Sequence, residues 1–284
     1  MKLLITGGSG YIARNLKPLF ERAGYDVLAP SRTELDLFNF ESLVEYLKQN
    51  HPDAIIHAAT KGGKRTKKDT FDEVYIPNIR MFENLYRAIL QNYHDFPPTI
   101  LIGSGAEFDR RYPIQLCREE YLFSRWPTDP YGLSKNIIAR RALSDFENMW
   151  VLRIFGCFNY NEEDTRFIKR SILNLKKGLP IEIHRNMEMD FFYMDDIFIV
   201  MDYIFHNPTW QRNLNLVYDK KMDLLKIANL IHKHTKIHGP AIKEIEPFGY
   251  GSYTGDYKNL YELPIVDKLI GFDEGLCRTI EKVL

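Results

Sequence analysis

Three cysteines in 284 residues, Cys117, Cys157 and Cys277, are too few and too far apart for a disulfide framework or for the paired spacing of a zinc site. A reducing cytoplasm is the compartment that fits this usage. Net charge is equally absent: 38 Lys and Arg offset 38 Asp and Glu. No basic or acidic tail breaks the balance, so no nucleic-acid partner is expected. Long apolar runs are missing too. The run at residues 3–5 meets glycines within a few positions, which excludes a signal or membrane helix there and predicts a soluble chain with no membrane partner. Neither an internal repeat nor a low-complexity stretch is present. What remains is a 45% hydrophobic chain, enough for one large core or for a main domain with a smaller companion.

Periodicity gives the class. Residues 3–5 read as a buried strand, 11–20 as a helix, 25–29 as a strand, 40–49 as a helix and 54–58 as another buried strand. A long amphipathic segment follows at 72–92, then a strand at 99–102, a loop-rich stretch to 130, a helix at 131–148 and a strand at 150–155. This alternation predicts an α/β fold with a doubly wound parallel sheet of the Rossmann type. Past Gly156 the regularity weakens, while a helix at 195–206 and a strand at 213–217 return to the sheet. The expected division is residues 1–155 plus about 190–217 for the sheet domain, and about 156–189 plus 218–284 for a smaller portion, with a ligand bound between them.

Gly7, Gly10 and Ala13 stand three apart directly after the first strand. Such a turn lets a phosphate approach the amides and the positive dipole end of the next helix. A tight turn of any purpose favours glycine, so the weight comes from its place at the first strand of an alternating pattern. The second strand runs into Ala29-Pro30-Ser31-Arg32, with no acidic residue to grip ribose hydroxyls. Arg32, alone or with Arg14, is instead suited to the extra phosphate of NADP, because a guanidinium offers a planar fork of donors. NAD stays open as the alternative cofactor.

Tyr131-Gly132-Leu133-Ser134-Lys135 places a phenol and an ammonium on one helix face. A chain with 17 Tyr yields about one such pair by chance, so position again carries the argument. A phenol with an ordinary pKa of about 10 becomes a useful acid-base group when a neighbouring cation favours its anion. Lys135 supplies that charge and can also hold a ribose hydroxyl. Ser104, just beyond the strand at 99–102, lies where the carboxyl ends of parallel strands face the ligand crevice, and its hydroxyl can hold the reacting oxygen.

These residues resemble the extended short-chain dehydrogenase/reductase family in its NAD(P)-dependent epimerase/dehydratase branch. The resemblance rests on Thr6 to Ala13, His57-Ala58-Ala59, Asn78, Ser104 to Phe108, Tyr131 to Lys135, Leu152 to Phe155 and Phe191 to Asp196, in the family's order. Within that branch, Ser31 to Leu37 and Ala58 to Gly63 look most like GDP-L-fucose synthases and, less closely, dTDP-4-dehydrorhamnose reductases. The resemblance implies Ser104, Tyr131 and Lys135 as the catalytic set. It implies cofactor contacts from Gly7, Gly10, Tyr11, Ile12, Arg14, Arg32, Asp36, Ala58, Ala59, Tyr131 and Lys135. It also implies hydride exchange with C4 of a sugar nucleotide, and a homodimer through the helices at 72–92 and 131–148.

Departures narrow the activity. Gly105 and Ala106 occupy the positions of the dehydratases' Asp-Glu pair, and Ala106 also replaces the fucose synthases' cysteine. No histidine lies between Gly156 and Arg166, so epimerisation beside the ketone is not expected either. Reduction of a 4-keto sugar nucleotide is the favoured reading, with an NAD-dependent 4-epimerase and a non-catalytic NADP-binding regulator as alternatives. Met189 stands where the family often has a diphosphate-binding arginine. The candidate substrate contacts are therefore Lys61, Ser104, Glu107, Arg166 and Lys169, with Arg170 and Arg185 behind them. His57 reads as a core residue, and His232, His234 and His238 lack companions at metal spacing, so no metal is expected. Asp195-Asp196 is expected to cap a helix. The basic loop from Lys61 to Lys68 reads as a solvated face with a possible substrate role.

Overall fold

A computed structural model describes residues 1–63, 68–237 and 242–284, and of residues 246–250 the backbone alone. The central part of the basic loop, residues 64–67, and His238 lie outside the described residues. In chain order the elements are β1 (Lys2–Thr6), α1 (Tyr11–Arg22), β2 (Asp26–Leu28), α2 (Phe40–Asn50), β3 (Ala54–His57), α3 (Ile76–Asn92), β4 (Thr99–Ser104), β5 (Ile114–Cys117) and α4 (Pro130–Asp145). Then come β6 (Met149–Ile154), β7 (Cys157–Phe158), α5 (Phe167–Lys176), β8 (Glu182–Met189), β9 (Phe192–Tyr193), α6 (Met194–His206), β10 (Asn213–Leu216), α7 (Leu224–Thr235), β11 (Lys243–Gly255), α8 (Lys258–Tyr261) and α9 (Phe272–Val283).

Two compact units result. The first comprises Met1–Tyr112, Glu119–Arg153 and Val200–Leu214; the second comprises Pro113–Arg118, Ile154–Ile199 and Asn215–Leu284. Residues 190–199, read from the sequence with the sheet, group with the second unit.

The six-stranded sheet has the order β10-β6-β4-β3-β1-β2. β1 pairs in parallel with both β2 and β3, and β3 in parallel with β4. Strand order therefore reverses at β1 and β3, and the crevice at their carboxyl ends is where doubly wound sheets bind ligands. The strands are apolar on both faces because helices cover them: Leu3, Leu4, Ile5, Ile55 and Ile56 are fully buried. One covering layer joins Leu43 and Leu47 of α2 with Met81, Leu85 and Ile89 of α3 against Leu4 and Ile55. Each such buried side chain contributes about 1.5–3 kcal/mol of transfer free energy.

Helix ends follow their local chemistry. Asn39 caps α2 by accepting the Ser42 amide at 3.0 Å, and Asp129 caps α4 by accepting the Gly132 amide at 2.8 Å. Pro130, whose missing N–H costs nothing at a first helical position, starts α4 directly after that cap.

In the second unit β5, β11 and β8 form a three-stranded parallel sheet in that order, and β7 pairs with β9. Ile168, Ile172 and Leu175 of α5, Ile227 and Ile231 of α7, and Leu276 and Ile280 of α9 are buried there. Asp196, expected to cap its own helix, instead uses its carboxylate to accept Tyr218 OH and the amides of Ile270 at 2.7 Å and Gly271 at 2.9 Å. It thereby anchors the segment that leads into α9. Among the described residues, no helix is long and apolar enough to cross a membrane.

Candidate functional site

The turn after β1 is built for glycine. Gly7 has φ +72°, and a Cβ there would come within 2.8 Å of Ala59 Cα. Gly8 donates its amide to Pro30 O at 3.1 Å, and a side chain on it would run into the Ala29 carbonyl. Gly10 donates to Gly7 O at 2.7 Å and precedes α1 in an extended conformation, with no side chain capping the helix. Tyr11 and Ile12 begin α1 half-buried, and Arg14 is exposed one turn on. Ala58 and Ala59 follow β3. Thr6 Oγ1 accepts the Ala59 amide at 3.3 Å and shares a 2.9 Å hydrogen bond with His57 Nδ1. His57 is buried, and desolvation with the Lys135 charge holds its pKa down at about 3, so it is a neutral core residue stitching the ends of β1 and β3. The helix start, with no side-chain cap at Gly10 and glycines that keep the turn tight, fits the diphosphate of a dinucleotide.

The segment after β2 gathers cations. Arg32, Lys61 and Arg80 lie 5.6, 5.4 and 5.7 Å from the centroid of the Phe38 ring, and Arg80 also donates to Phe38 O at 3.2 Å. Asp36 accepts the Phe38 amide at 3.1 Å, and with Phe38, Arg80 and Asn84 it lines an open cavity of about 410 Å³. The ammonium of Lys61, expected on the substrate, and the guanidinium of Arg32, read as binding the cofactor phosphate, thus share the Phe38 ring as a neighbour. Asn78 holds the Lys61 backbone: its buried side chain accepts the Lys61 amide at 2.7 Å and donates to Lys61 O at 3.0 Å and to Ser134 Oγ at 3.0 Å.

Ser104, Tyr131 and Lys135 all lie in the first unit. Ser104 ends β4 and opens a single turn over Gly105–Glu107. Its Oγ accepts the Ala106 amide at 3.2 Å, which leaves the hydroxyl proton for an acceptor such as a carbonyl oxygen. Gly132 packs against this turn so closely that a side chain would meet the Ala106 carbonyl, which brings the start of α4 onto the serine turn. A side chain on Gly63, φ +75°, would come within 3.1 Å of the Tyr131 ring, so the backbone of Gly63 approaches that ring closely. One turn along α4, Lys135 is buried and donates from Nζ to Ile102 O at 2.9 Å. Burial lowers its pKa to about 8, and the Glu107 charge works the other way.

Glu107 departs from its expected role. It is 1% exposed; Oε1 accepts the Ser104 amide at 2.8 Å, and Oε2 takes Arg153 Nε at 2.8 Å and Nη2 at 2.7 Å. With both oxygens engaged, this carboxylate does not reach a substrate. Sequence reading named Arg153 only as part of a motif; no local signal joins residues 46 apart.

In the second unit Arg166 is exposed at the start of α5. Lys169 is committed: its Nζ donates to Glu162 O at 2.9 Å and pairs with Asp164 at 2.9 Å. Its amide donates to Glu162 Oε1 at 3.0 Å, and burial pushes that carboxyl up to about 8. Arg170 leans toward Glu182 O at 3.4 Å, and Met189 is buried. Among the described residues, no three His, Cys, Asp or Glu side chains are grouped to hold a metal ion.

Comparison with known proteins shows what the chain is similar to. GDP-L-fucose synthase of Azorhizobium caulinodans is 45% identical over 58 residues, which cover 20% of this chain and 19% of that protein. GDP-L-colitose synthase of Yersinia pseudotuberculosis is 25% identical over 253 residues, 82% of each chain. The solved structure of a GDP-mannoheptose C4 reductase from Campylobacter jejuni with NADP bound superposes with a TM-score of 0.82, covering 99% of this chain and 97% of that one, at 16% identity. The model of the NAD dependent epimerase/dehydratase family matches residues 3–216. The glycine turn, the carboxyl ends of β1 and β3, and the Ser104, Tyr131 and Lys135 positions all fall inside that span, and the chain belongs to this family.

Proposed function

We propose that this protein is an NADP-dependent oxidoreductase that reduces a 4-keto sugar nucleotide, of the 4-keto-6-deoxy type, at C4. The observation that carries the reading is the start of α4 seated on the serine turn, with Tyr131 and a buried Lys135 on one helix face. Support comes from the GDP-sugar synthase and reductase names of the similar proteins. Gly105 and Ala106 offer no acid or base for dehydration.

A bound nicotinamide supplies the hydride. Ser104 donates a hydrogen bond to the C4 oxygen and holds it in place. Tyr131 transfers the proton that completes the alcohol, and the Lys135 cation favours the phenolate left behind. Gly7, Gly10, Tyr11 and Ile12 hold the diphosphate at the start of α1, while Asp36, Ala58 and Ala59 flank the adenosine. Arg32 and Lys61, with Arg14, take the phosphate that distinguishes NADP. Arg166 is the preferred cation for the sugar nucleotide's diphosphate, since Lys169 already has partners.

In this reading the sheet unit binds cofactor and the second unit binds the nucleotide of the substrate. The exposed Ile76 and Leu90 of α3 support pairing of two copies through α3 and α4, and three widely spaced cysteines suit the cytoplasm. Incubation with NADPH and the 4-keto forms of GDP-, CDP-, dTDP- and UDP-sugars, read by mass spectrometry, tests the proposal. A gain of two mass units in one of them supports it. Retained NAD with interconversion of C4 epimers, and no net NADPH consumption, would identify a 4-epimerase instead.

A further inference from the structure

The ion pair of Glu107 and Arg153 lies beneath the reacting end of β4 and touches no open surface: the two side chains are 1% and 0% exposed. Removing two charges from water is costly, and apolar residues of similar size often pack as well or better. A purely structural reason for the pair is therefore weak, and its hydrogen bonds point elsewhere. Glu107 Oε1 accepts the amide of Ser104 at 2.8 Å. Arg153 holds the other oxygen through two nitrogens and is itself held by Asn213 Oδ1 at 3.1 Å. Asn136 of α4 donates to Glu107 O at 2.8 Å and to Leu122 O at 3.2 Å, so the glutamate's backbone is fixed from the Tyr131 helix as well. Gly103 leaves room for the carboxylate; a Cβ there would come within 2.7 Å of Glu107 Oε1, 3.0 Å of Val151 Cγ1 and 3.2 Å of Arg153 Cα.

We infer that Gly103, Glu107 and Arg153 form a buried cradle that positions Ser104, fixing its peptide so that the hydroxyl meets the reacting oxygen. Glu107 and Arg153 are positioning residues, acting through Ser104 without touching substrate. This rests on the reading of Ser104 as a hydrogen-bond donor in carbonyl reduction. The Glu107 charge also favours the Lys135 ammonium, while His57, whose pKa is lowered by burial and by that ammonium, is neutral.

Five variants separate positioning from folding. Arg153→Met with Glu107→Gln removes both charges and keeps an amide oxygen for the Ser104 N–H. Arg153→Met with Glu107→Leu removes the charges and that acceptor together. Ser104→Ala, alone and combined with each pair, completes a cycle that exposes coupling. Thermal unfolding, the KM for NADPH and single-turnover rates with the 4-keto substrate are measured for all. The Gln-containing pair should turn over within about fivefold of wild type, and the Leu-containing pair about 10- to 100-fold more slowly at unchanged KM for NADPH. In the Ser104→Ala background the difference between the two pairs should vanish. Equal rates for the two pairs, or a difference that persists without Ser104, would overturn the cradle while leaving the enzyme reading intact. Absence of turnover in the folded wild type would instead remove the reading on which it rests.

Discussion

The ammonium of Lys135 donates to the carbonyl of Ile102 at 2.9 Å, two residues before Ser104 on the same strand. This bond ties the helix that carries Tyr131 to the strand that ends at Ser104. It also buries a cation, and burial brings the Lys135 pKa from its ordinary 10.5 to about 8. In the proposed mechanism the Tyr131 phenolate would lose its supporting charge at mildly alkaline pH. The rate of ketone reduction should fall as pH rises through about 8. Lys135→Met should lower kcat about 100-fold and abolish that limb, as a pH-rate profile of the two proteins would show.

The same shift has a stability consequence. Because the folded pKa of Lys135 is depressed, the unfolded chain binds more protons between about pH 8 and 10.5. The cost of burying this ammonium is fully present below about pH 8 and is relieved as pH rises across that window. Denaturant titrations should show Lys135→Met gaining stability relative to wild type at pH 7 and losing that advantage toward pH 10. A gap between the two proteins that does not change with pH would contradict the assignment.

Gly7 sits at φ +72° with Ala59 Cα in the path of any side chain. Gly7→Ala should destabilise the fold by about 1–3 kcal/mol through backbone strain and contact. Displacing the turn should also weaken dinucleotide binding by at least about tenfold. Thermal unfolding with and without NADPH reads both effects, since lost affinity appears as a smaller stabilisation by ligand.

Cofactor choice should follow the cations around Phe38. Arg32→Ala should lower kcat/KM with NADPH by about 10- to 100-fold and leave NADH within about twofold. Lys61→Ala should act in the same direction, more weakly. Steady-state rates with the two cofactors decide the matter. An equal loss with both would place these residues away from the extra phosphate.

What the sequence made legible was local. The glycine turn between β1 and α1 and the Tyr131-Lys135 spacing on one helix each depend on neighbours within a few residues, whereas the Asp129 cap and the Pro130 start of α4 were left in the loop. Non-local pairings did not show. β5, β8 and β11 meet across stretches of more than 50 residues, and the reading left all three as irregular chain. The hold on the Lys61 backbone is likewise non-local: it comes from Asn78, 17 residues away, which the motif named without saying what it holds. Glu107 followed the serine turn in sequence and so looked like a substrate contact, until Arg153 and the Ser104 amide claimed its oxygens.

Asn78 offers a further test. Its amide satisfies both backbone groups of Lys61 and the Ser134 hydroxyl in a buried site. Asn78→Ala should cost about 2–4 kcal/mol, the loss expected when buried partners are left unsatisfied. It should also raise the KM for NADPH, because Lys61 would no longer be held beside Phe38. Calorimetry and initial rates report the two effects; a fall in stability with unchanged KM would separate Asn78 from the cofactor site.

The most direct measurement is NADPH oxidation with 4-keto sugar nucleotides by wild type and by Tyr131→Phe. The expected result is one NADPH consumed per C4 alcohol formed by wild type. Tyr131→Phe should be slower by about 10²–10⁴-fold with NADPH binding intact. Unchanged turnover in Tyr131→Phe would contradict the assignment of the proton-transferring group at the start of α4.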